Sequence, residues 1–399
     1  MARRPSPDAS DLAWLIGVLW GPAAEVVTGS ARPTGEGSTY VIAPNRRWPR
    51  LLLPDERSVA RAALRAGTGT RSLSAGRRRA ALAQALRADP AWRLVRDRVW
   101  VPGTDPLRAR LEDALGAPAQ ISAGLRIRSP FRKPMLQVVG PGGQVIAYAK
   151  VAWNDVTAAN VRAEHQALLA FADAPDAHLR TPEVVAMVEH RGFPVLVTRP
   201  MPEGVRRYRA GDDPPPVSAD REISDVLTAG GSDASIAERL RSRLAVVADG
   251  ATRAEGLRRA IVAAATEVAG DLDASGLVAG AWHGDWAPWN LGRDGDMLWI
   301  WDWEHWRPHV PVGLDVPHFL FQQRFVAERT PLAEAFAGAR AGSSRALASL
   351  GYDESQRRAL HAAHVLEVSL RYLEAERHGV RPNPRFVSGA LDALRDVQP

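Results

Sequence analysis

Between residues 281 and 306 the chain reads AWHGDWAPWNLGRDGDMLWIWDWEHW, which concentrates side chains able to do chemistry. His283 stands two residues before Asp285, Asn290 follows five residues after that aspartate, and Asp302 and Glu304 close the stretch. A positioned carboxylate can accept the proton of a reacting hydroxyl. An amide oxygen and a second carboxylate are hard donors of the kind that hold magnesium, an ion that proteins usually share with substrate phosphates. Together these groups suit phosphoryl transfer, where the protein chiefly orients a hydroxyl and neutralises charge. A second chemistry stays open. His283, Asp285, Asp302, Glu304, His305 and His309 could ligate a transition metal in a hydrolase. Zinc sites, however, favour several histidines at short spacings, and only His283 lies near the first aspartate.

The elements that must position these groups can be read from periodicity. After the turn GRDGD at 292–296, MLWIWDWE alternates sides: Leu298, Ile300 and Asp302 share one face, and Met297, Trp299, Trp301 and Trp303 the other. Asp302 therefore sits at a strand end, and a hairpin return can carry it back over Asn290. The stretch holds seven of the chain's thirteen tryptophans. Trp282, Trp299, Trp301 and Trp306 read as packing. Trp286 and Trp289 lie inside the loop between Asp285 and Asn290, where an indole face can stack on a sugar ring. With Glu304 they are the candidate acceptor contacts.

Lys150 ends the apolar run VIAYAK in a chain with only one other lysine, Lys133. A buried ammonium needs a partner, and Glu164, on the apolar face of the helix expected at 156–172, is the nearest candidate. A compact ammonium suits phosphate oxygens. A strand lysine paired to a helix glutamate is how kinases hold the α- and β-phosphates of ATP. An edge-strand lysine whose head reaches water is the alternative.

Residues 1–118 read as a mixed α/β segment or cap, with strands at 39–44, 50–54 and 92–102 and helices at 56–67, 77–88 and 106–116. Residues 119–200 read as five strands with one helix inserted after the third: strands at 122–130, 134–140 and 145–153, then two more within 181–204. Residues 201–399 read as helical (218–229, 234–248, 253–271, 330–349, 354–378, 385–397), interrupted only by the tryptophan-rich stretch. The fold class expected is α+β.

A strand lysine, a helix glutamate, HGDWAPWN and then WDWE, in that order, resemble the aminoglycoside phosphotransferase-like kinases, small-molecule kinases with a two-lobed protein-kinase-like fold. The resemblance spans about residues 120–325, and the later helices suit the family's helical lobe. It implies ATP and Mg²⁺ as cofactors and Asp285 as catalytic base. Lys150 would bind nucleotide phosphates with Glu164 holding it, and Asn290 and Asp302 would bind the metal. His283 and Asp315, in GLDVPHFLFQ, would support the loop. The backbone of Val197, Thr198, Arg199 and Met201 would meet adenine. Two departures stand out. The turn RSPFRKP at 128–134 has no glycine where such kinases cover the phosphates; Arg132 or Lys133 could supply phosphate contacts instead, or face solvent. Residues 1–118 have no counterpart in the family's core.

The totals limit the partners. The net charge of +6 is almost all arginine and gathers before residue 125, without the aromatic-interleaved basic repeats of nucleic-acid binders. No cysteine is present, which excludes disulfides, thiolate metal sites and cysteine nucleophiles. The early apolar run at 12–20 is too short to span a bilayer and follows acidic residues. The expectation is a cytoplasmic enzyme without nucleic acid or membrane insertion, acting on a small-molecule hydroxyl. An acidic pocket from Glu304, Glu367, Glu374 and Glu376 would suit an aminoglycoside; aromatic stacking would suit a sugar or a surface-polysaccharide precursor. The alternative is a pseudokinase that binds nucleotide as a regulatory module.

Overall fold

In Val145–Val151 the side chains of Ala147, Ala149 and Val151 are fully buried while Tyr148 and Lys150 turn to the opposite face, the two-residue period of a strand. The protein is described here as a computed structural model that covers residues 6–29, 35–65, 80–84, 96–174, 177–209, 211–228, 235–248, 255–380 and 384–396. Along the chain the described strands are β1 (Glu25–Thr28), β2 (Gly37–Ala43), β3 (Leu51–Pro54), β4 (Asp97–Pro102), β5 (Gln120–Gly124), β6 (Met135–Val139) and β7 (Val145–Val151). They continue as β8 (Leu179–Arg180), β9 (Val184–His190), β10 (Phe193–Thr198), β11 (Arg206–Arg207), β12 (Ala279–Trp282), β13 (Leu291–Asp294), β14 (Met297–Ile300) and β15 (Arg307–Pro311).

The chain divides into two compact units, Met1–His165 with Pro182–Pro202, and Gln166–Thr181 with Glu203–Pro399. The first is built on a nine-stranded sheet in the order β1-β4-β2-β3-β5-β6-β7-β10-β9, antiparallel in every pair. Its second half is β5, β6, β7, β10 and β9, in the place of the five strands expected between 119 and 200; the first, expected at 122–130, instead spans Gln120–Gly124, and residues 125–130 are not strand. The strands expected at 39–44 and 50–54 fall in β2 and β3; of the strand expected at 92–102, residues 92–95 lie outside the described residues and the rest contains β4. Most of the helix expected at 77–88 also lies outside them. Leu51 and Leu52 pair with Gly124 and Ala123, so the segment before residue 118 shares one sheet with the strands after it.

One face of this sheet is covered by the helices Ala9–Leu19 and Pro106–Leu115, whose Leu12, Leu15, Leu19, Leu107 and Leu111 join Ile42, Val99, Val138, Ala149 and Val195 in one buried cluster. Pro106 opens the second helix and Gly116, in the left-handed region at φ 63°, ends it. Its cap, Asp105, is fully buried and accepts four hydrogen bonds, from the Leu107 and Arg108 amides, Trp20 Nε1 and Tyr40 Oη. Asp105→Ala removes a cap and strands two aromatic donors in the core. It should cost about 2–4 kcal/mol in urea denaturation; a change under about 0.5 kcal/mol, the usual limit for a surface site, would contradict this role.

The second unit is the helical C-terminal part. Helices Ile236–Ala248, Glu255–Ala274, Leu332–Ser349, Glu354–Arg377 and Pro384–Arg395 bury a core that includes Leu240, Ile261, Phe336, Leu360, Leu366 and Leu370. Two small sheets interrupt the helices, β11-β13-β14-β8 and β12-β15. Gly295, at φ 57°, supplies the positive φ of the two-residue turn between β13 and β14. Among the described residues no helix is long and apolar enough to cross a membrane.

Candidate active site

In the first unit, Lys150 turns away from the apolar cluster because the strand alternates, and Glu164 meets it from the helix Asp155–Ala172. Nζ lies 2.5 and 2.6 Å from the two carboxylate oxygens, with the side chains 12% and 5% exposed. Such an ion pair in the interior is kept only when both charges are satisfied. β7 lies between β6 and β10, so this lysine is not on an edge strand.

The glycine-free turn is fastened from several sides. Asp11 accepts from the Arg128 amide at 2.6 Å, Trp153 Nε1 donates to the Arg132 carbonyl at 2.9 Å, and Asn154 Nδ2 donates to the Pro130 carbonyl at 3.0 Å. The Arg132 guanidinium bonds back to the Ile127 carbonyl. Further along, Val197 and Thr198 are in register with β7 and β9 on both sides, and the Arg199 amide donates to the Glu183 carbonyl. Met201 lies past the end of β10 and outside this ladder.

In the second unit, β12 runs into His283-Gly284-Asp285. His283 is fully buried, and its two ring nitrogens have separate tasks. Nδ1 accepts from the Asp285 amide at 3.1 Å, and Nε2 lies 3.2 Å from the Trp301 carbonyl, which requires the neutral tautomer protonated on Nε2. Asp315, the first residue of the helix Asp315–Gln322, accepts from the His283 and Gly284 amides at 2.5 and 3.0 Å. Asp220 in turn accepts from the Gly313 and Asp315 amides at 2.8 and 3.1 Å. Burial drives both carboxyls above the usual carboxylate range, and at Asp315 the neighbouring Asp220 adds to the rise. Gly284 has φ 79°, and a Cβ there would stand 2.3 Å from the His305 carbonyl oxygen. Gly284→Ala combines a left-handed backbone with a backbone clash. It should destabilise the chain by roughly 2–4 kcal/mol, read by thermal denaturation; a wild-type melting curve would refute the requirement.

The Asp285 carboxylate is held from two sides. Asn290 Nδ2 donates to its Oδ2 at 2.8 Å and to its backbone carbonyl at 2.9 Å; Gln322 Nε2 lies 3.3 Å from Oδ1. Because two acceptors fix the Asn290 amide nitrogen, its carbonyl oxygen must point away from Asp285. The Trp301 amide donates to the Asn290 carbonyl at 3.2 Å, so Asp302 follows directly on the residue facing Asn290. Asp302 has φ 71°, a strained value for a residue with a Cβ, at the point where the strand breaks into the turn Trp303–His305. An amide oxygen and a carboxylate at adjoining strand ends fit a hard divalent cation. Among the described residues no three histidine or acidic side chains gather closely enough to hold a metal, so the six ligands considered for a hydrolase do not form such a group.

Trp286 is 3% exposed and lies edge-on to the His283 ring, 6.1 Å between centroids. Trp303 is fully buried between His283 and Phe171. Trp289 and Glu304 keep some open surface.

Three partners of the loop were not recognised from sequence. Asp220 and Arg371 are remote in the chain and nothing local marks them; Arg371 Nη1 donates to the Gly284 carbonyl at 2.7 Å. Gln322 had a signal that went unused: Asp315, His318 and Gln322 recur at the spacing of one helix face. His318 also bonds Gln322, at 3.1 Å, and His364, at 3.2 Å; burial holds both histidines well below their usual pKa, and thus neutral.

No family model matches the chain, and no curated protein matches it. Solved structures do. Its likeness is to small-molecule kinases. A choline/ethanolamine kinase family protein from Mesorhizobium loti is 19% identical with a TM-score of 0.39, over 66% of this chain and 84% of that one. The aminoglycoside phosphotransferase APH(2")-IIia, in complex with GDP and kanamycin, is 13% identical with a TM-score of 0.45, over 68% and 91%. A thermostable mutant of the aminoglycoside phosphotransferase APH(4)-Ia, in ternary complex with ADP and hygromycin B, is 13% identical with a TM-score of 0.46, over 73% and 98%. Likeness at this level does not extend to a substrate.

Proposed function

We propose that the chain is a kinase-like phosphotransferase of two lobes, moving the γ-phosphate of ATP to a hydroxyl of a small molecule: a sugar, an aminoglycoside or a surface-polysaccharide precursor. The observation that carries this reading is the Asp285 carboxylate, steadied on one oxygen by Asn290 and on the other by Gln322, in a loop clamped by Asp315. Asp285 orients the acceptor hydroxyl and takes its proton while the hydroxyl oxygen bonds to the γ-phosphorus and the bond to the departing ADP oxygen breaks.

Lys150, held by Glu164, binds the nucleotide phosphates, and the backbone around Val197, Thr198, Arg199 and Met201 receives the adenine. Asn290 and Asp302 would hold Mg²⁺, which supplies charge neutralisation on the phosphates. His283 and Asp315 keep the loop in shape; Trp289 and Glu304 are the candidate acceptor contacts, whereas Trp286, buried against His283, packs the loop. In this reading residues 119–200 and 201–399 are the two lobes, 1–118 is an addition that lengthens the first lobe's sheet, and the reaction is cytoplasmic, where ATP is supplied. The pseudokinase alternative rests on the glycine-free turn at 128–134.

The test is ADP release from Mg-ATP in the presence of sugars, aminoglycosides and amino alcohols, beside thermal stabilisation by Mg-ATP. Acceptor-dependent ADP release supports phosphotransfer. Stabilisation without any ADP release favours the pseudokinase, and no stabilisation at all defeats both.

A further inference from the structure

Behind the catalytic loop the helix Glu354–Arg377 presents Glu367, Arg371 and Glu374 at helical spacing toward Arg239 and Arg243 of Ile236–Ala248. Arg243 binds Glu374 at 2.8 Å, and both Arg239 and Arg243 bind Glu367. Glu367 is 5% exposed, and these two guanidiniums hold it ionised, far below the usual carboxylate range despite its burial. Two of the four glutamates that could have lined a pocket for a cationic acceptor are therefore already neutralised.

What is left in excess is positive charge. Arg371 lies between Glu367 and Glu374 along the helix and makes no direct ion pair with a described residue, though the charge of Asp285 attracts it; its guanidinium sits over the Trp282 ring at 5.4 Å and bonds the Gly284 carbonyl. Arg307 is in register with Trp282 across the β12-β15 ladder and is exposed. Among the described residues it donates to the Trp306 carbonyl at 2.7 Å and the Glu304 carbonyl at 3.5 Å. Arg307 likewise has no carboxylate partner among the described residues. Protein crowded around its guanidinium, and then the charges of Arg371 and Arg243, bring its pKa down to about 10. Four guanidiniums thus share three carboxylates, Glu367, Glu374 and, without direct contact, Asp285 itself. Neighbouring guanidiniums in excess of their carboxylates attract an anion, and the planar fork matches phosphate and carboxylate oxygens.

We infer that the acceptor is an anionic hydroxy compound, such as a phosphorylated sugar or a sugar acid, whose phosphate or carboxylate is held by Arg307 and Arg371 while its hydroxyl faces Asp285. This rests on the phosphotransferase reading for the hydroxyl, but the anion site can be tested by itself. The experiment is calorimetry on the full chain with glucose 6-phosphate, glucuronate, glucose and kanamycin, alone and with Mg²⁺ and a non-hydrolysable ATP analogue filling the nucleotide site. The two anions should bind at least about tenfold more tightly than glucose or kanamycin, with or without the analogue, and Arg307→Gln and Arg371→Lys should each weaken them by about tenfold, the worth of a charge-assisted bond. Three results overturn the inference: kanamycin or glucose binding as tightly as the anions, no anion binding at millimolar concentration, or anion binding indifferent to both substitutions. Failure of the ATP analogue to bind defeats the phosphotransferase reading instead, and leaves the anion measurements to decide this one.

Discussion

Asp285→Asn should lower acceptor-dependent ADP release by about a hundredfold to ten-thousandfold, the range that a positioned general base contributes. Two features make this substitution clean. Asparagine keeps the shape of the side chain and one oxygen that can still accept from Asn290 or Gln322, which now hold opposite sides of the carboxylate. The loop is fixed mainly through its backbone, by Asp315 on the His283 and Gly284 amides and by His283 on the Asp285 amide. The variant should therefore unfold within about 1 kcal/mol of the wild type, the usual worth of one hydrogen bond. It should also keep Mg-ATP binding. A coupled assay for ADP and a denaturation curve measure both quantities. Unchanged turnover would remove Asp285 from the chemistry; lost turnover with a collapsed fold would mark it as structural.

The second large effect is at Lys150, where structural and nucleotide roles must be separated. Lys150→Ala leaves Glu164, 3% exposed, without its ammonium. Removing one partner of a buried pair costs roughly 3–5 kcal/mol, so this variant alone would confuse instability with lost function. Pairing Lys150→Met with Glu164→Leu removes both charges and fills the space with apolar groups. Such replacements are often neutral or stabilising, by about 1–4 kcal/mol in the favourable cases. The double variant should fold with near wild-type stability yet lose at least about a hundredfold in ADP release, because the cation on the phosphates is gone. Calorimetric titration with Mg-ATP and the ADP assay read the outcome. A stable double variant with full activity would make the Lys150–Glu164 pair a packing device only.

Legibility from sequence follows the range of the interactions. Alternation over seven residues placed Lys150 on the face opposite the apolar cluster, and helical spacing placed Glu164 on the inward side of the following helix, so their meeting at 2.5 Å was readable. The hairpin that brings Asp302 next to the partner of Asn290 is equally local, since a glycine turn and strict alternation specify it. The extension of the sheet by β1 to β4 was not readable. A strand's own pattern states which side is buried but not which strand it will pair with, and here Leu52 found Ala123 across a long separation.

By itself, then, the sequence determined the chemical inventory around Asp285 and the local elements that carry it, because those depend on residue type and on periods of two and 3.6. Only the tertiary structure decided the surroundings. Gln322 reached Asp285, Asp220 and Asp315 clamped the loop in series, and Arg239 and Arg243 neutralised Glu367. A charge changes meaning with the partner it meets. Two of the four glutamates that as residue types suggested an acidic pocket, Glu367 and Glu374, are once packed neutralised by Arg239 and Arg243; the cause is long-range helix packing that no local pattern encodes.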